Sequence, residues 1–290
     1  NIRWLINIVN MSRQVLIKKA SGEFVPFSKE KLATSLERSG ASDETVSLVL
    51  KDIESWVVEG TTTAKLYRRA FMLLRRYQKF TAARYSLKNA LMELGPTGYA
   101  FEKLMGHVFR AMGFSVEVGI EVEGKCVTHE VDVLATNHKH QHFVECKFYN
   151  SPGKSANVQV PLYIRSRVND IIDKRRTQEQ YKDFGFHGWV ATNTRFTSDA
   201  QSFGECSGLN LISWDYPENR SLKRLVEDNQ LFPITALTNL TKAEKEKLLS
   251  DGVVLCKEIN DNPELLKILD LKPAKLKQVL YEVKDLSVKK

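Results

Sequence analysis

The chain is poor in cysteine. Its four, Cys126, Cys146, Cys206 and Cys256, are scattered over 290 residues and never spaced C-x-x-C. That argues against a disulfide framework and a cysteine-based zinc site, and fits a reducing cytoplasm. Long apolar runs are also missing, and nothing approaches the roughly 20 residues that span a bilayer. The opening run N-I-R-W-L-I-N-I-V-N is too short for a signal peptide and has no cleavage site. The expected functional start is therefore near Met11, with residues 1–13 as an N-terminal extension. There is no internal repeat, no low-complexity tract and no Walker A pattern, so a bound nucleotide is not expected to serve as fuel.

The length of 290 residues and 42% hydrophobic content allow two or three domains with proper cores. A net charge of +8 and a pI near 9.2 suit a polyanionic partner without requiring one.

The most informative segment lies in the middle. V-T-H-E-V-D-V-L-A at Val127–Ala135 and H-F-V-E-C-K-F-Y at His142–Tyr149 read as strands joined by a polar hairpin connection, Thr136–Gln141. Paired symmetrically about His138 and Lys139, they set Asp132 opposite Glu145 and Glu130 opposite Lys147. Period-two alternation then gives Glu130, Asp132, Glu145 and Lys147 one face, and Val131, Val133, Val144 and Cys146 the other, core-facing one. Two close carboxylates repel, and a hard divalent cation relieves that repulsion; Mg²⁺ favours one or two carboxylates plus substrate phosphate. Such an ion activates water and polarises a phosphodiester, and a neighbouring ammonium stabilises the charge that develops. A surface face with two cross-strand ion pairs accounts for the same pattern.

Upstream, Phe101, Leu104, Met105, Val108, Phe109 and Met112 recur at helical spacing, with Gly113 as the stop. Phe114–Val122 alternates like a strand. Glu102 sits in the first turn of the helix, where an acid is favoured in any case, and is within reach of the hairpin site through a water. Downstream, Val158–Ile172 reads as a crossover helix, with Val160, Tyr163, Ile164, Val168 and Ile171 as its stripe. Gln159 lies in its first turn, and Arg165, Arg167, Lys174, Arg175 and Arg176 form a basic run that contacts phosphate or is simply solvated. Thr197 and Ser198 cap a helix near Asp199.

Residues 98–216 resemble the Mrr-type restriction endonucleases of the PD-(D/E)xK superfamily. The resemblance runs through G-Y-A-F-E at 98–102, A-M-G-F at 111–114, H-E-V-D-V at 129–133, E-C-K-F-Y at 145–149, Gly188–Ala200 and Gly208–Trp214. It implies an αβββαβ core and Mg²⁺-dependent cleavage of DNA. Carried over by position, Asp132 and Glu145 are the metal ligands, Lys147 is the catalytic lysine and Glu102 an accessory acid. Val131 stands where the superfamily name has proline.

The N-terminal third, over residues 14–96, resembles an ATP-cone. Val15, Lys18, Lys19, Gly22, Phe27, Lys31 and Leu32 match, while Lys19 replaces the usual arginine and Ala20-Ser21 an Asp-containing turn. Physically, Val15–Lys19 and Glu23–Phe27 make a hairpin, and Ser28 caps a helix from Lys29. The resemblance implies ATP or dATP as a regulatory ligand, with Lys18, Lys19 and Lys31 on the phosphates and Val15 and Phe27 flanking the base. A module that has kept the fold and lost the nucleotide is the other reading. A helix over Phe80–Leu94, with Ala83, Leu87, Ala90, Leu91 and Leu94 buried, ends at Gly95-Pro96, the expected boundary. Residues 233–290 form a helical module with a Thr241/Glu244 capping box. "L-L-S-D-G-V" and "L-D-L-K-P-A-K-L" resemble a helix-hairpin-helix without its Gly-x-Gly turn, so an interaction module that does not touch DNA stays open. The whole is expected to be a multi-domain α/β endonuclease regulated by nucleotide, with DNA, ATP or dATP and a second copy of the chain as candidate partners; the alternative is a nucleotide-responsive DNA-binding regulator that has the fold but no cleavage activity.

Overall fold

A computed structural model describes residues 15–151 and 153–288; the expected extension at residues 1–13 lies outside them. The chain divides into two compact units at Tyr85/Ser86.

The first unit opens with the hairpin of β1 (Leu16–Lys18) and β2 (Phe24–Pro26), paired Leu16 with Pro26 and Lys18 with Phe24. The Ser28 side chain accepts from the Lys31 amide and starts α1 (Lys29–Arg38). Three further helices follow, α2 (Asp43–Trp56), α3 (Thr63–Tyr77) and α4 (Lys79–Tyr85). Ser42 and Thr62 cap α2 and α3 in the same way. Leu36, Val49, Ile53, Ala70 and Leu74 form the buried centre of this unit, and Phe27 packs against it.

The second unit begins at α5 (Leu87–Met92). The sequence suggests one helix from Phe80 to Leu94, but helical structure is interrupted at Ser86. The Ala90 carbonyl accepts from the Thr235 hydroxyl at 2.7 Å, which ties α5 to the C-terminal segment. After α6 (Tyr99–Ala111) and Gly113, whose φ of +92° suits a helix stop, come β3 (Ser115–Glu123), β4 (Thr128–Asn137) and β5 (His140–Lys147). A short β6 (Ser155–Ala156) leads into α7 (Gln159–Arg175), the crossover helix. β7 (Gly185–Thr192), β8 (Arg195–Phe196), α8 (Ser198–Cys206) and β9 (Asn210–Ile212) complete the core. The sheet order is β3-β4-β5-β7-β9, antiparallel through β5 and parallel beyond it. The αβββαβ arrangement is thus present within a mixed five-stranded sheet.

Helices cover both faces of the sheet. Trp189 of β7 meets Phe109 of α6 edge-on at 5.3 Å, while its neighbour Val190 packs with Ile164 and Val168 of α7. Adjacent strand residues point to opposite faces, so α6 and α7 lie on opposite sides. Ile164, Val168 and Ile171 occupy the buried row of α7. Tyr163, expected on that stripe, is 59% exposed, because Ile164 takes the core position and the adjacent residue on the helix is rotated away from it.

The C-terminal segment carries α9 (Leu222–Asp228), α10 (Lys242–Ser250), α11 (Cys256–Asp261), a 3₁₀ turn (Pro263–Leu269) and α12 (Pro273–Ser287). The Thr241/Glu244 capping box starts α10. Glu282 of α12, 1% exposed, accepts from the Thr238 amide at 2.6 Å and from the Asn239 amide and side chain at 3.1 and 2.8 Å. One buried carboxylate therefore holds the loop that precedes α10. Among the described residues, no helix is long and apolar enough to cross a membrane.

Removing that carboxylate takes an acceptor from three part-buried N–H donors of Thr238 and Asn239. Glu282→Ala should lower unfolding stability by about 3 kcal/mol, against about 1 kcal/mol for Thr241→Ala at the exposed cap; thermal unfolding of the two variants measures the difference.

Candidate active site

The β4–β5 hairpin turns at His138-Lys139, and its register pairs Asn137 with His140 and continues to Val133 with Val144. Beyond Val133 the two strands part. β5 goes on pairing with β7 as far as Lys147 with Thr192, while β4 pairs only with β3. Asp132 is the first residue past the last β4–β5 pair. Its carboxylate accepts the Cys146 N–H at 2.6 Å, which supplies the bond that the ladder no longer makes. On the other side, β3 pairs Val118 with Val133 and Ile120 with Val131, and the ladder skips Gly119 and Asp132 between them. Gly119 has φ +65°, a conformation that costs glycine little. Local irregularity of this kind re-aims side chains. Val131 accordingly packs with Phe143, Ile164 and Val168, not on the Val144 face that strict alternation assigns it.

The expected cross-strand pairs are altered by this fork. Asp132 bonds to backbone and does not stand in a ladder pair with Glu145. Glu130 faces Glu121 on β3, not Lys147. Lys147 instead donates to Glu145 Oε1 at 2.9 Å on its own strand. Glu145 Oε2 accepts from Arg167 of α7 at 2.6 Å, and the same guanidinium donates to the Glu130 carbonyl. Both oxygens of Glu145 thus face cations. Arg167 was only one member of a basic run in the sequence; its place in the fork depends on a tertiary contact that spacing does not reveal.

Glu102 enters from α6. Burial, and then the charges of Asp132, Glu130 and Glu145, push its carboxyl up to about 7, with Lys147 opposing. Burial and the Glu145 charge raise Asp132 to about 6, against the Cys146 amide, Lys147 and Arg167. Burial disfavours the Lys147 ammonium, but its bond to Glu145 and the Glu145 and Asp132 charges outweigh that, so its pKa rises. The Cys146 thiol, fully enclosed and ringed by acids, is held well above its usual range and has no nucleophilic part. The structure therefore gathers Glu102, Asp132, Glu145 and Lys147 around one point, with Arg167 added.

Two supports fix this point. Asn193, fully buried, accepts the Tyr149 N–H at 2.9 Å and donates to the Tyr149 carbonyl at 2.8 Å, which holds the chain just past Lys147. Asp170, one turn after Arg167, accepts the Cys126 amide at 2.9 Å and the Val127 amide at 3.3 Å, and lies 2.8 Å from His129 Nε2. His129 and those amides hold its carboxyl down at about 2. Gln159 is exposed in the first turn of α7 and has none of these contacts. In the N-terminal unit, Lys18 lies over the Phe24 ring at 5.8 Å, Lys19 pairs with Glu23 at 2.8 Å, and Phe27 packs into the helical core. Lys31 is exposed in the first turn of α1, and Val15 is half-buried with its carbonyl accepting from Phe27.

The fold and the acidic fork define a domain of the restriction-endonuclease class: residues 95–216 match the family described as "Restriction endonuclease". Residues 232–287 match a second family, "AF1548-like, C-terminal". An uncharacterized protein of Archaeoglobus fulgidus is 30% identical over 181 residues, 62% of this chain and 98% of that protein. The chain belongs to the family of that archaeal protein. The crystal structure of a protein of unknown function, AF1548, superposes with a TM-score of 0.53 at 28% identity, covering 65% of this chain and 97% of that one. The MspJI restriction endonuclease, solved with a 27-mer oligonucleotide, is far more distant, at 17% identity and a TM-score of 0.28 over 46% of this chain and 29% of its own. The restriction-endonuclease-like domain suggests a nuclease.

The two raised carboxyls have a thermodynamic consequence. A carboxyl whose folded pKa exceeds its unfolded value stabilises the fold at low pH and loses that contribution as pH rises through the folded pKa. For the metal-free protein that window is set by values of about 6 and about 7. Asp132→Asn should therefore stabilise the metal-free protein at pH 8 by on the order of 1 kcal/mol, with the gain shrinking toward pH 5. Thermal melts of both proteins in a chelator across that range read it directly.

Proposed function

We propose that the chain is a Mg²⁺-dependent endonuclease that hydrolyses DNA phosphodiester bonds at the β4–β5 fork. The observation that carries this reading is the crowding of Glu102, Asp132 and Glu145 beside Lys147, at a cost visible in the raised carboxyls. Carboxyls shifted by burial and by charged neighbours, and gathered with a lysine, are functional-site candidates. The donors suit a hard cation: Asp132 and Glu145 offer oxygen only, and Mg²⁺ commonly sits on one or two carboxylates with water and substrate phosphate completing its shell. Among the described residues no group of three His, Cys, Asp or Glu is placed to hold an ion unaided. When bound, such an ion supplies the positive charge that activates water and polarises the phosphodiester.

The chain's own groups do the rest. Asp132 and Glu145 hold the ion, and the Cys146 amide fixes the direction of Asp132. The Lys147 ammonium, kept protonated by Glu145, donates to the phosphoryl oxygen on which charge develops. Glu102, whose carboxyl interacts with those of Asp132 and Glu145 from α6, is the group placed to take up the proton that the attacking water loses. Water adds to phosphorus, the P–O bond to the leaving sugar breaks, and the products are a phosphomonoester and a hydroxyl end. Arg167 gives Glu145 a counter-charge while no ion is bound.

For the N-terminal unit, the reading is a cone-type domain that binds ATP or dATP as a regulator. The β1–β2 hairpin and the Ser28 cap, which sets Lys31 in the first turn of α1, support it; phosphate contacts from such lysines are charge-assisted.

Supercoiled plasmid should be nicked in Mg²⁺ and left intact in EDTA. Lys147→Ala should slow cleavage by roughly 100-fold or more, and Asp132→Asn should abolish it. A Lys147→Ala protein as fast as the wild type sinks the assignment, and tight DNA binding without cleavage points to the regulator reading instead. Calorimetry on the full chain should show ATP or dATP binding that weakens in Lys18→Ala and Lys31→Ala; heat absent for both nucleotides removes the regulatory half.

A further inference from the structure

The helices on either side of the fork each carry an exposed tyrosine one turn before a residue of the site. On α7, Tyr163 precedes Arg167, and on α6, Tyr99 precedes Glu102. Tyr163 is 59% exposed and Tyr99 52% exposed, although large aromatic side chains normally bury most of their surface.

The two rings are built alike. The Arg167 guanidinium lies 5.4 Å from the centre of the Tyr163 ring, and the Lys103 ammonium 5.1 Å from that of Tyr99. Each cation is itself tethered, Arg167 to Glu145 at 2.6 Å and Lys103 to the Gly252 carbonyl at 3.2 Å. Each ring thus has a fixed positive charge over one face. Because α6 and α7 cover opposite faces of the sheet, the rings stand on the two sides of the fork. The approach along α7 is free of acids: from Gln159 to Asn169 it carries Arg165 and Arg167 and no Asp or Glu. Leu162, beside Tyr163, is exposed as well.

Resting on the nuclease reading above, we propose that Tyr163 and Tyr99 are base-stacking platforms, and that the site takes DNA whose bases are unpaired next to the scissile phosphate. In intact duplex the faces of the bases are already stacked on each other, and a flat exposed ring next to the site has nothing to stack on. In an unpaired strand every base offers a π-face, and aromatic platforms paired with cations are the way proteins hold such strands irrespective of sequence. The chemistry fits both halves of a nucleotide: the ring takes the base, and the tethered cation faces the adjoining phosphate.

The test is equilibrium binding of the full chain in Ca²⁺, which suppresses cleavage, to oligo(dT) carrying one 2-aminopurine and to a duplex of equal length. The wild type should bind the single strand roughly tenfold more tightly than the duplex and quench the 2-aminopurine. Tyr163→Phe should keep both properties. Tyr163→Ala should lose roughly tenfold in single-strand affinity and most of the quenching, with the salt dependence unchanged because no charge is removed; Tyr99→Ala should act in the same direction. Thermal midpoints equal to wild type confirm that these surface variants fold. Equal affinity for single strand and duplex, or a Tyr163→Ala protein that binds and quenches like wild type, overturns the proposal while plasmid cleavage leaves the nuclease reading standing. A protein that binds neither form of DNA overturns both.

Discussion

The bond between the Asp132 carboxylate and the Cys146 N–H is the interaction on which the site depends. It exists because β4 and β5 stop pairing after Val133 and Val144, and it closes one backbone donor that the parting strands leave open. A side chain has taken over a position that backbone carbonyls hold elsewhere in the sheet. The carboxylate is thereby fixed in direction while its second oxygen stays free of that bond. The parting also makes room for Arg167, which fills the gap from α7 and neutralises Glu145. Without the fork, Asp132 and Glu145 would be an ordinary pair on a sheet surface, solvated and cheap.

The neighbouring structure compensates for what the fork removes. α7 is attached at successive turns to the loose end of β4, the β3–β4 connection and the end of β3: Arg167 to the Glu130 carbonyl, Asp170 to His129 and the Cys126 and Val127 amides, and Lys174 to Glu123 at 2.9 Å. On the far side, Asn193 reproduces a strand pairing for Tyr149 with its side-chain amide alone. The crowded carboxylates are tolerated because the scaffold around them is over-determined, which is the usual condition for strain to persist at a functional site.

Much of this was legible in the sequence, and the parts that were not share a cause. The hairpin register follows from period-two alternation and a short turn, both local. Helix starts at Ser28, Thr197 and Thr241 were readable because a cap is a bond between residues three apart. The fork was not readable: it needs Gly119 on one neighbouring strand and Arg167 on a helix more than thirty residues downstream of Asp132 to act on the same spot. Tyr163 was assigned to the buried stripe because an apolar period of three or four does not distinguish it from Ile164, and only the packed sheet decides between them. For Phe27 the sequence suggests a flank for a base; in the first unit it is half-buried and packs against the helical core, since a large ring gains by burial.

The outer strand β3 adds a different constraint. In a chain with a net charge of +8, its exposed positions carry Glu117, Glu121 and Glu123, and Glu121 stands directly across from Glu130. A free strand edge invites a foreign strand to add to the sheet, and a hem of like charge discourages it. The same hem repels a polyanion. Glu123 is already neutralised by Lys174 of α7, so the exposed carboxylates of Glu117 and Glu121 carry this effect, and on the nuclease reading proposed above a nucleic-acid strand meets its electrostatic opposition along that stretch of β3.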